Sequence, residues 1–526
     1  MAQMAGLAKP SVATTRRGVL KLGMFGAGAF ALSACGGTSG GGGGTKAGAF
    51  VWESSAAPTL LNPIGPTNSP QVKRVVSWIS SGLWRFGSNP GEFVAQLATE
   101  NPPERISDKV FTVQLRDDVK WHDGSPFTAE DVQATFEAVL DEAYGSTYRN
   151  RVLALDSVRA TSDYEVEFTL KTVDNFIVNE IAPIPIVKAS QARSVDDLNS
   201  KPLGTGPYMI ESYTSGESIV LVANPHYYED GVPATEKLTY NVVPNDGTRT
   251  IDLINGTATF TSDVSPGDVE LLEREGVTVH VQSSAPTRHY FYINTTKPEL
   301  GDKLFRQALA FAINRKQIVD TVWRGYADIG QTSTSPKSVY YDTSLAPYGE
   351  EPDLDKARSL LAQAKKPSKP IVLTMLQGSQ YAAAGTILVE NWAELGVDVV
   401  LEQLDAGAAS EKLRGKTYDM WMLIDYLGTG PGYMPSAIAD YSSAGSLFSG
   451  FTTPEVDAAI ETARTATTDE ELQEAMKYLL EVDIDQACQI AMCYPHYLEA
   501  QGAKLNDYEP SALGNVPYGV PLASFA

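Results

Sequence analysis

The sequence predicts an α/β protein built from two or three domains. Strand-like and helix-like segments alternate along the chain, most regularly between residues 371 and 424, and such alternation is typical of parallel α/β layers. The chain has 526 residues, of which about 480 follow an N-terminal export signal, enough for two or three domains. Its 43% hydrophobic and 20% charged content is ordinary for a globular protein.

The individual elements are predicted from the period of the apolar residues and from helix caps. In the first part of the chain they are strands at Val110–Leu115 and Val166–Leu170, a helix opened by the N-cap Thr128 with Asp131 three residues on, and one long helix from Leu304 to Trp323. In the later part they are strands at Ile371–Leu376, Val397–Leu404 and Met420–Ile424, and helices at Tyr381–Leu395, Ala409–Leu413, Pro454–Arg464 and Asp469–Asp483.

Residues 1–34 have the composition of an export signal. They contain no acidic residue, an apolar run from Met24 to Leu32, and four basic residues, Lys9, Arg16, Arg17 and Lys21. That run is too short to cross a bilayer core of about 30 Å, so a permanent transmembrane helix is not expected. The pair Arg16-Arg17 resembles a twin-arginine signal, with an ordinary Sec signal as the alternative.

The four residues Leu32-Ser33-Ala34-Cys35 resemble a bacterial lipobox. Cleavage between Ala34 and Cys35 would leave an N-terminal cysteine that carries acyl chains, and each buried CH₂ contributes about 0.8 kcal/mol to membrane binding. The glycine-rich stretch within residues 35–46 is then a flexible tether. Because glycine follows Cys35 and gives no retention signal, a Gram-positive surface is favoured over a periplasm.

Charge and cysteine content argue against several classes of function. The net charge of −23 becomes about −27 without residues 1–34, which disfavours nucleic acid as a partner. Cys488 and Cys493 are interpreted as buried thiols, with a disulfide as the alternative. The sequence contains no paired zinc spacing, no P-loop and no hydrolase elbow in a strand–helix context. We therefore predict no metal, no cofactor and no enzymatic activity.

The most specific stretch of the chain is Lys120–Val132, which contains Trp121-His122-Asp123-Gly124. It resembles the family-5 extracellular solute-binding proteins of ABC importers, a group that binds peptides, nickel complexes, opines and sugars. The resemblance implies structural roles, not ligand contacts, for Trp121 and His122. Further segments extend it over nearly the whole mature chain: Leu61–Pro63, Gly204–Tyr208, Asn224–Tyr228, Arg306–Arg315, Ala357–Leu361 and Trp392–Val397.

The resemblance implies a type II periplasmic-binding-protein-like clamshell with two α/β lobes and an additional α+β domain. Such a clamshell closes on its ligand by a hinge motion. The chain is expected to cross between the lobes near Tyr290 and Cys488. The implied boundaries are the export signal at 1–34, the lipidated cysteine and tether at 35–46, lobe I at 47–83 plus 203–290 plus 491–526, the additional domain at 84–202, and lobe II at 291–490.

The ligand is expected beside the segment that follows Tyr418-Asp419. Aromatic and glycine residues that leave the end of a strand suit a cleft wall, and here they are Trp421, Asp425, Tyr426, Gly428 and Tyr433. For Trp421 a place in the sheet core is the alternative, and for Tyr426 a packed loop. Further candidates are Asn68, Tyr144, His289 and Tyr290.

Gly428 departs from the pattern of the family. The resemblance implies that peptide binders hold an Asp at this position, where it pairs with the α-amino group of the peptide. Loss of an acid opposite a buried ammonium costs a few kcal/mol, and Asp425 lies three residues away. The departure adds weight to a sugar or another non-peptide ligand.

Taken together, these features predict a binding protein that works with ABC permease and ATPase subunits, is held to the membrane by its lipid and acts as a monomer. A peptide ranks first as ligand, a sugar-like, opine or other non-peptide molecule second, and a nickel complex last. A surface receptor for a peptide pheromone is the alternative class, and an extracytoplasmic hydrolase is the third.

Overall fold

The computed structural model describes residues 50–58, 60–66, 69–87, 92–100, 103–283, 287–334, 336, 338, 340–426, 443, 448–510 and 519–525. The helices in these ranges are α1 Pro70–Ile79, α2 Ala129–Leu140, α3 Ile177–Ile181, α4 Val195–Ser200, α5 Asp246–Asn255, α6 Val269–Arg274, α7 Lys303–Phe311, α8 Arg315–Val322, α9 Leu354–Leu361, α10 Ser379–Ala393, α11 Ala406–Arg414, α12 Pro454–Thr465 and α13 Asp469–Gln486. None of these helices is long and apolar enough to cross a membrane.

The strands alternate with the helices as the sequence predicts. They are β1 Phe50–Ser54, β2 Trp84–Phe86, β3 Phe93–Ala95, β4 Glu104–Ser107, β5 Val110–Gln114, β6 Leu155–Ser162, β7 Glu165–Leu170, β8 Tyr208–Thr214, β9 Ser218–Ala223, β10 Lys237–Val242, β11 Phe260–Thr261, β12 Thr278–Gln282, β13 Thr287–Ile293, β14 Ala327–Ile329, β15 Ile371–Leu376, β16 Val399–Leu404, β17 Met420–Tyr426, β18 Gln489–Pro495, β19 Tyr497–Gln501, β20 Leu505–Asn506 and β21 Ser524–Phe525.

Within the described ranges the strands form three main sheets and two short strand pairs. Sheet A has the order β12-β19-β11-β1-β10-β9-β8, sheet B the order β14-β18-β13-β17-β15-β16, and sheet C the order β4-β5-β7-β6. The pairs of β1 with β10 and β11, and of β15 with β16 and β17, are parallel. The predicted parallel layers therefore occupy the centre of sheet A and one side of sheet B.

Each main sheet is held by its own apolar core, in which aromatic rings supply much of the buried area. In sheet A, Trp52 lies edge-on to Trp78 of α1 with ring centroids 5.1 Å apart. In sheet C, Phe111 and Phe168 stack at 4.8 Å, and Phe136 of α2 meets Phe168 edge-on at 5.3 Å. The face of α2 that carries Phe136 is thus the face that covers sheet C.

Asp131 organises the predicted turn and cap before α2. Its Oδ2 accepts hydrogen bonds from Trp121 Nε1 and from the Thr128 backbone N–H, both at 3.0 Å, and its Oδ1 accepts from the Ala189 backbone N–H at 2.8 Å. Burial raises the pKa of Asp131, and these hydrogen bonds oppose the rise. Trp121, which is fully buried, is therefore a structural residue, as predicted.

His122 joins this turn to the glycine-rich segment after α4. Its Nδ1 accepts from the Gly204 N–H at 3.1 Å, and its Nε2 lies 3.3 Å from the Gly206 carbonyl oxygen, so Nε2 carries the proton. Burial lowers the pKa of His122 to about 4, which keeps the ring neutral. A Cβ on Gly204 would lie 1.6 Å from the carbonyl oxygen of Ile79 at the end of α1, so that only glycine fits.

The prediction of one long helix from Leu304 to Trp323 is wrong, because the segment forms two helices, α7 and α8. Asn314 causes the break. Its side-chain oxygen accepts from the Gln317 N–H at 2.8 Å as the N-cap of α8, and its own N–H donates to Asn391 Oδ1 at 2.8 Å. An Asn that caps a new helix competes with continuation of the preceding one, and a search for apolar period alone does not detect this.

Cys488 and Cys493 are free, buried thiols, as predicted. Cys488 packs among α12 and α13, whereas Cys493 lies in β18 and packs in the main core of sheet B. Burial raises the pKa of Cys488 to about 12 and also raises that of Cys493. Both groups are therefore protonated and unreactive at neutral pH.

Candidate ligand cleft

The parallel strands of sheet A and those of sheet B each end at one edge of their sheet. In open α/β sheets, ligands bind beyond the carboxyl ends of the parallel strands. In sheet A these ends are Val242, Ser54 and Thr261, and in sheet B they are Leu376, Leu404 and Tyr426. These two edges are the walls of the candidate ligand cleft.

The chain passes between sheets A and B at these same edges. One crossing joins β12 to β13, and the other is His496, between β18 and β19. On the side of sheet A, Gln282 pairs with Tyr497, and on the side of sheet B, Thr287 pairs with Tyr426 at the end of β17. We use the name lobe I for sheet A with its helices, lobe II for sheet B with its helices, and sheet C's domain for sheet C with its helices.

The crossings lie several residues from the expected positions near Tyr290 and Cys488. Tyr290 lies inside β13, because β13 pairs with β17 over its whole length and is thereby held in sheet B. Cys488 directly precedes β18, which also belongs to sheet B. The domain boundaries taken from the resemblance stay a prediction.

A buried ion pair ties the edge of sheet A together. Arg74 of α1 donates to Asp263 Oδ1 at 3.1 Å, to Ser54 Oγ at 3.2 Å and to the hydroxyl of Tyr497 at 3.3 Å. Burial by itself raises the pKa of Asp263, but Arg74 and hydrogen bonds from Ser55 and Ser54 outweigh it and lower the pKa to about 2. The pair fixes α1, the end of β1 and the first residue after the crossing in one geometry.

A buried aromatic cluster lies on the face of sheet B opposite its main core. Tyr290 and Tyr292 meet edge-on at 5.0 Å, Tyr418 and Trp421 lie 5.9 Å apart, and Phe448 lies 5.6 Å from Tyr292. Tyr290 is 1% exposed and Trp421 is 2% exposed. Trp421 thus packs as a core residue, while Nε1 of its indole has no hydrogen-bond partner among the described residues. Ligand contact by either ring stays a prediction.

The two residues that precede Tyr290 in β13, Arg288 and His289, have different surroundings. The Arg288 guanidinium lies 3.9 Å from the centroid of the Tyr290 ring and is 1% exposed. His289 lies edge-on to Trp323 at 5.9 Å and to Tyr381 at 5.8 Å, and burial lowers its pKa to about 3. His289 is therefore a neutral core residue. Arg288 directly precedes the His289-Tyr290 pair in β13 and carries no separate sequence signal.

Tyr144 lies where sheet C's domain meets the first loop of lobe I. It ends a short 3₁₀ turn, and its hydroxyl accepts a hydrogen bond from Asn62 Nδ2 at 3.0 Å. The following Thr147 donates from its backbone N–H to the carbonyl oxygen of Gly65 at 3.2 Å. Burial raises the pKa of Tyr144. Its half-buried ring remains available to a ligand, and that role stays a prediction.

The side-chain positions of several predicted site residues lie outside the described part of the structure. Asp425 and Tyr426 end β17 by their backbone, but their side chains lie outside the described part of the structure. Outside it altogether lie Asn68, Gly428, Tyr433, Ala34 and Cys35. Across the described ranges, no group of three His, Cys, Asp or Glu side chains could hold a metal ion.

Two α/β lobes joined by two crossings, with the carboxyl ends of their parallel strands at the junction, define a hinged binding protein. Residues 92–446 match the family described as bacterial extracellular solute-binding proteins, family 5 Middle. The chain belongs to this family, as the sequence motifs predict. The proteins of this family are extracytoplasmic solute-binding proteins, and this chain is of that class.

Solved structures confirm the predicted clamshell fold. The oligopeptide-binding protein AppA from Bacillus subtilis, in complex with a nonapeptide, has a TM-score of 0.83 at 23% identity, over 92% of this chain and 99% of that one. The periplasmic binding protein DppA from Helicobacter pylori, in complex with the peptide STSA, has a TM-score of 0.82 at 20% identity, over 91% of this chain and 98% of that one.

Curated relatives are similar over a shorter stretch. The glutathione-binding protein GsiB of Pectobacterium atrosepticum is 27% identical over 312 residues, which are 58% of this chain and 60% of that protein. The nickel-binding periplasmic protein of Escherichia coli strain K12 is 28% identical over 325 residues, which are 59% of this chain and 60% of that protein. The matches therefore span about 60% of these relatives.

Proposed function

We propose that this chain is the membrane-anchored solute-binding component of an ABC importer. It captures a small oligomeric solute between lobes I and II, closes on it, and delivers it to the permease. The observation that carries the proposal is that both crossings lie at the edges where the parallel strands of the two sheets end, in a chain of the family-5 class. Binding and release are its whole task, and no catalytic step is proposed.

The proposed cargo is a peptide. Support comes from the glutathione-binding relative and from the two similar structures that hold peptides. The second candidate is a non-peptide solute, because Gly428 stands where an acid would meet the α-amino group of a peptide. A nickel complex ranks last, despite the nickel-binding relative, because the described residues offer no metal-holding group.

The cargo is tested by native mass spectrometry of full-length protein purified from its own host. We expect co-purified masses that correspond to peptides of several lengths. A single sugar or opine mass would overturn the peptide assignment. In parallel, glutathione and a Ni(II)–histidine mixture serve as defined probes in thermal denaturation, since a ligand at 100 times its Kd stabilises a protein by about 2.7 kcal/mol.

The contribution of Trp421 is tested with a matched tryptophan on the other face of sheet B. Trp392 is also buried, and its Nε1 donates to the Leu309 carbonyl oxygen at 3.0 Å. Trp421→Phe should weaken binding of the co-purified solute by about 10-fold, whereas Trp392→Phe should lower stability and leave affinity unchanged. Equal effects of both variants on affinity, measured by calorimetry, would remove Trp421 from the site.

The anchor is a separate part of the proposal. A lipid on Cys35 and the tether after it would confine the diffusing lobes to the surface that holds the permease, which raises their effective concentration. Cys35→Ala should release the protein into the soluble fraction of the host. If this variant stays in the membrane fraction, the lipobox interpretation is wrong, while solute binding is unaffected.

A further inference from the structure

A loop of sheet C's domain makes an ion pair with lobe II. The loop lies between β7 and α3, and its Asp174 is 2% exposed. Arg464, in the last turn of α12, donates to Asp174 Oδ2 from Nε at 3.1 Å and from Nη2 at 2.5 Å. The other carboxylate oxygen of Asp174 accepts from the Phe176 N–H at 2.9 Å, which shapes the loop independently of Arg464.

The next residue of this loop caps α12 from outside lobe II. The last carbonyl groups of a helix have no partner within it. Asn175 supplies two donors, its backbone N–H to the Arg464 carbonyl oxygen at 2.9 Å and its Nδ2 to the Ala466 carbonyl oxygen at 2.5 Å. The end of α12 is therefore completed by a different domain.

The third residue inserts an aromatic ring between helices of lobe II. Phe176 is 6% exposed and belongs to one apolar cluster with α12 and α13. Its partners there include Val456, Ile460, Ala463, Met476, Leu479 and Leu480. An ion pair, a helix cap and a buried ring thus act at one point of contact.

This contact joins parts of the molecule that lie on different sides of the cleft. Sheet C's domain is bonded to lobe I, for example from the Ile186 N–H to the Ser81 carbonyl oxygen at 3.0 Å. In lobe II, α13 is bonded to α7 from Gln307 Nε2 to the Asp485 carbonyl oxygen at 2.7 Å. The chain joins the two sides covalently at the two crossings, so a hinge opening that moves lobe II away from sheet C's domain breaks the contact.

We propose that Asp174, Asn175 and Phe176, with the last turn of α12, form a latch that holds the cleft closed. The latch slows the separation of sheet C's domain from lobe II, and it thereby sets how fast a captured solute leaves. The effect of the latch on solute release rests on the proposed solute-binding function. Its effect on closure of the cleft does not.

The test uses full-length protein as purified, with two variants that weaken different parts of the latch. Arg464→Gln removes the charge, and Phe176→Ala removes the ring. We expect hydrogen exchange at the Asn175 amide to become about tenfold faster in both, with a larger radius of gyration by small-angle X-ray scattering. The control is Arg159→Gln, which removes an exposed pair with Glu167 in sheet C (3.0 Å) and should change neither reading.

The effect of the latch on solute release is measured with glutathione as the probe. Its dissociation, followed by stopped flow, should be about tenfold faster from Arg464→Gln than from the wild type. Unchanged scattering in both variants would overturn the latch, even if local exchange rises, because the contact would then be static packing. If wild-type protein binds neither glutathione nor a solute from its host, the proposed function fails, and scattering still decides the latch.

Discussion

Replacement of Glu499 by Gln should change how the stability of the protein depends on pH. Glu499 lies in β19 of lobe I, three residues after the crossing at His496, and is fully buried. Its Oε2 accepts from the hydroxyl of Tyr508 at 2.7 Å, and its Oε1 has no hydrogen-bond partner among the described residues. Burial raises its pKa from 4.5 to about 8, against the opposing influence of Tyr508 and Arg74.

The sign of the effect follows from proton binding. Between pH 4.5 and about 8 the folded protein holds a proton on Glu499 that the unfolded chain has lost. Stability from this group therefore falls as pH rises through that window. One pKa unit corresponds to about 1.36 kcal/mol, so the ionised carboxylate costs on the order of 5 kcal/mol above pH 8. Gln keeps the acceptor for Tyr508 and carries no charge.

The assay is urea unfolding at pH 5 and pH 9, followed by tryptophan fluorescence. Glu499→Gln should lie within about 1 kcal/mol of the wild type at pH 5 and be more stable by roughly 5 kcal/mol at pH 9. The exposed Glu217→Gln is the control and should show the same difference from the wild type at both pH values. If the difference between Glu499→Gln and the wild type does not grow with pH, Glu499 is not held protonated by burial.

Two further substitutions test the structural reading of the motifs, both by urea unfolding. Asp131→Ala leaves one buried and two partly buried donors without their acceptor and should cost about 3 kcal/mol. A loss below about 1 kcal/mol would contradict this role. Gly204→Ala places a Cβ 1.6 Å from the Ile79 carbonyl oxygen and should cost more than about 3 kcal/mol or prevent folding. The matched Gly267→Ala, whose added Cβ meets its nearest atom at 3.8 Å, should be tolerated.

Local patterns were the reliable part of the sequence prediction. The strand at Ile371–Leu376 is confirmed at both ends, and the N-cap at Thr128 is confirmed with its acidic partner Asp131. These features depend on residues a few positions apart, so their physical cause is contained in a short window. The break at Asn314 was missed because its cause includes Asn391, a residue that only the fold brings near.

The roles of the candidate site residues stay a prediction, because burial depends on neighbours that the local sequence does not specify. Trp421 and Tyr290 were selected as aromatic residues near strand ends, but the neighbours that bury them come from other strands and from Phe448. An aromatic residue has the same appearance in sequence whether it lines a cleft or fills a core. The expected positions of the crossings differ from the observed ones for a similar reason. Strand pairing, not composition, holds Tyr290 inside sheet B.

The sequence by itself determined the class of the protein, the alternation of its elements, and the motifs that place it in its family. Only the tertiary structure decided which charged groups meet. Arg74 and Asp263 lie 189 positions apart, and Asp174 and Arg464 lie 290 apart. The choice of such partners depends on how whole sheets and helices pack, and a buried charge is stable only where packing supplies its partner.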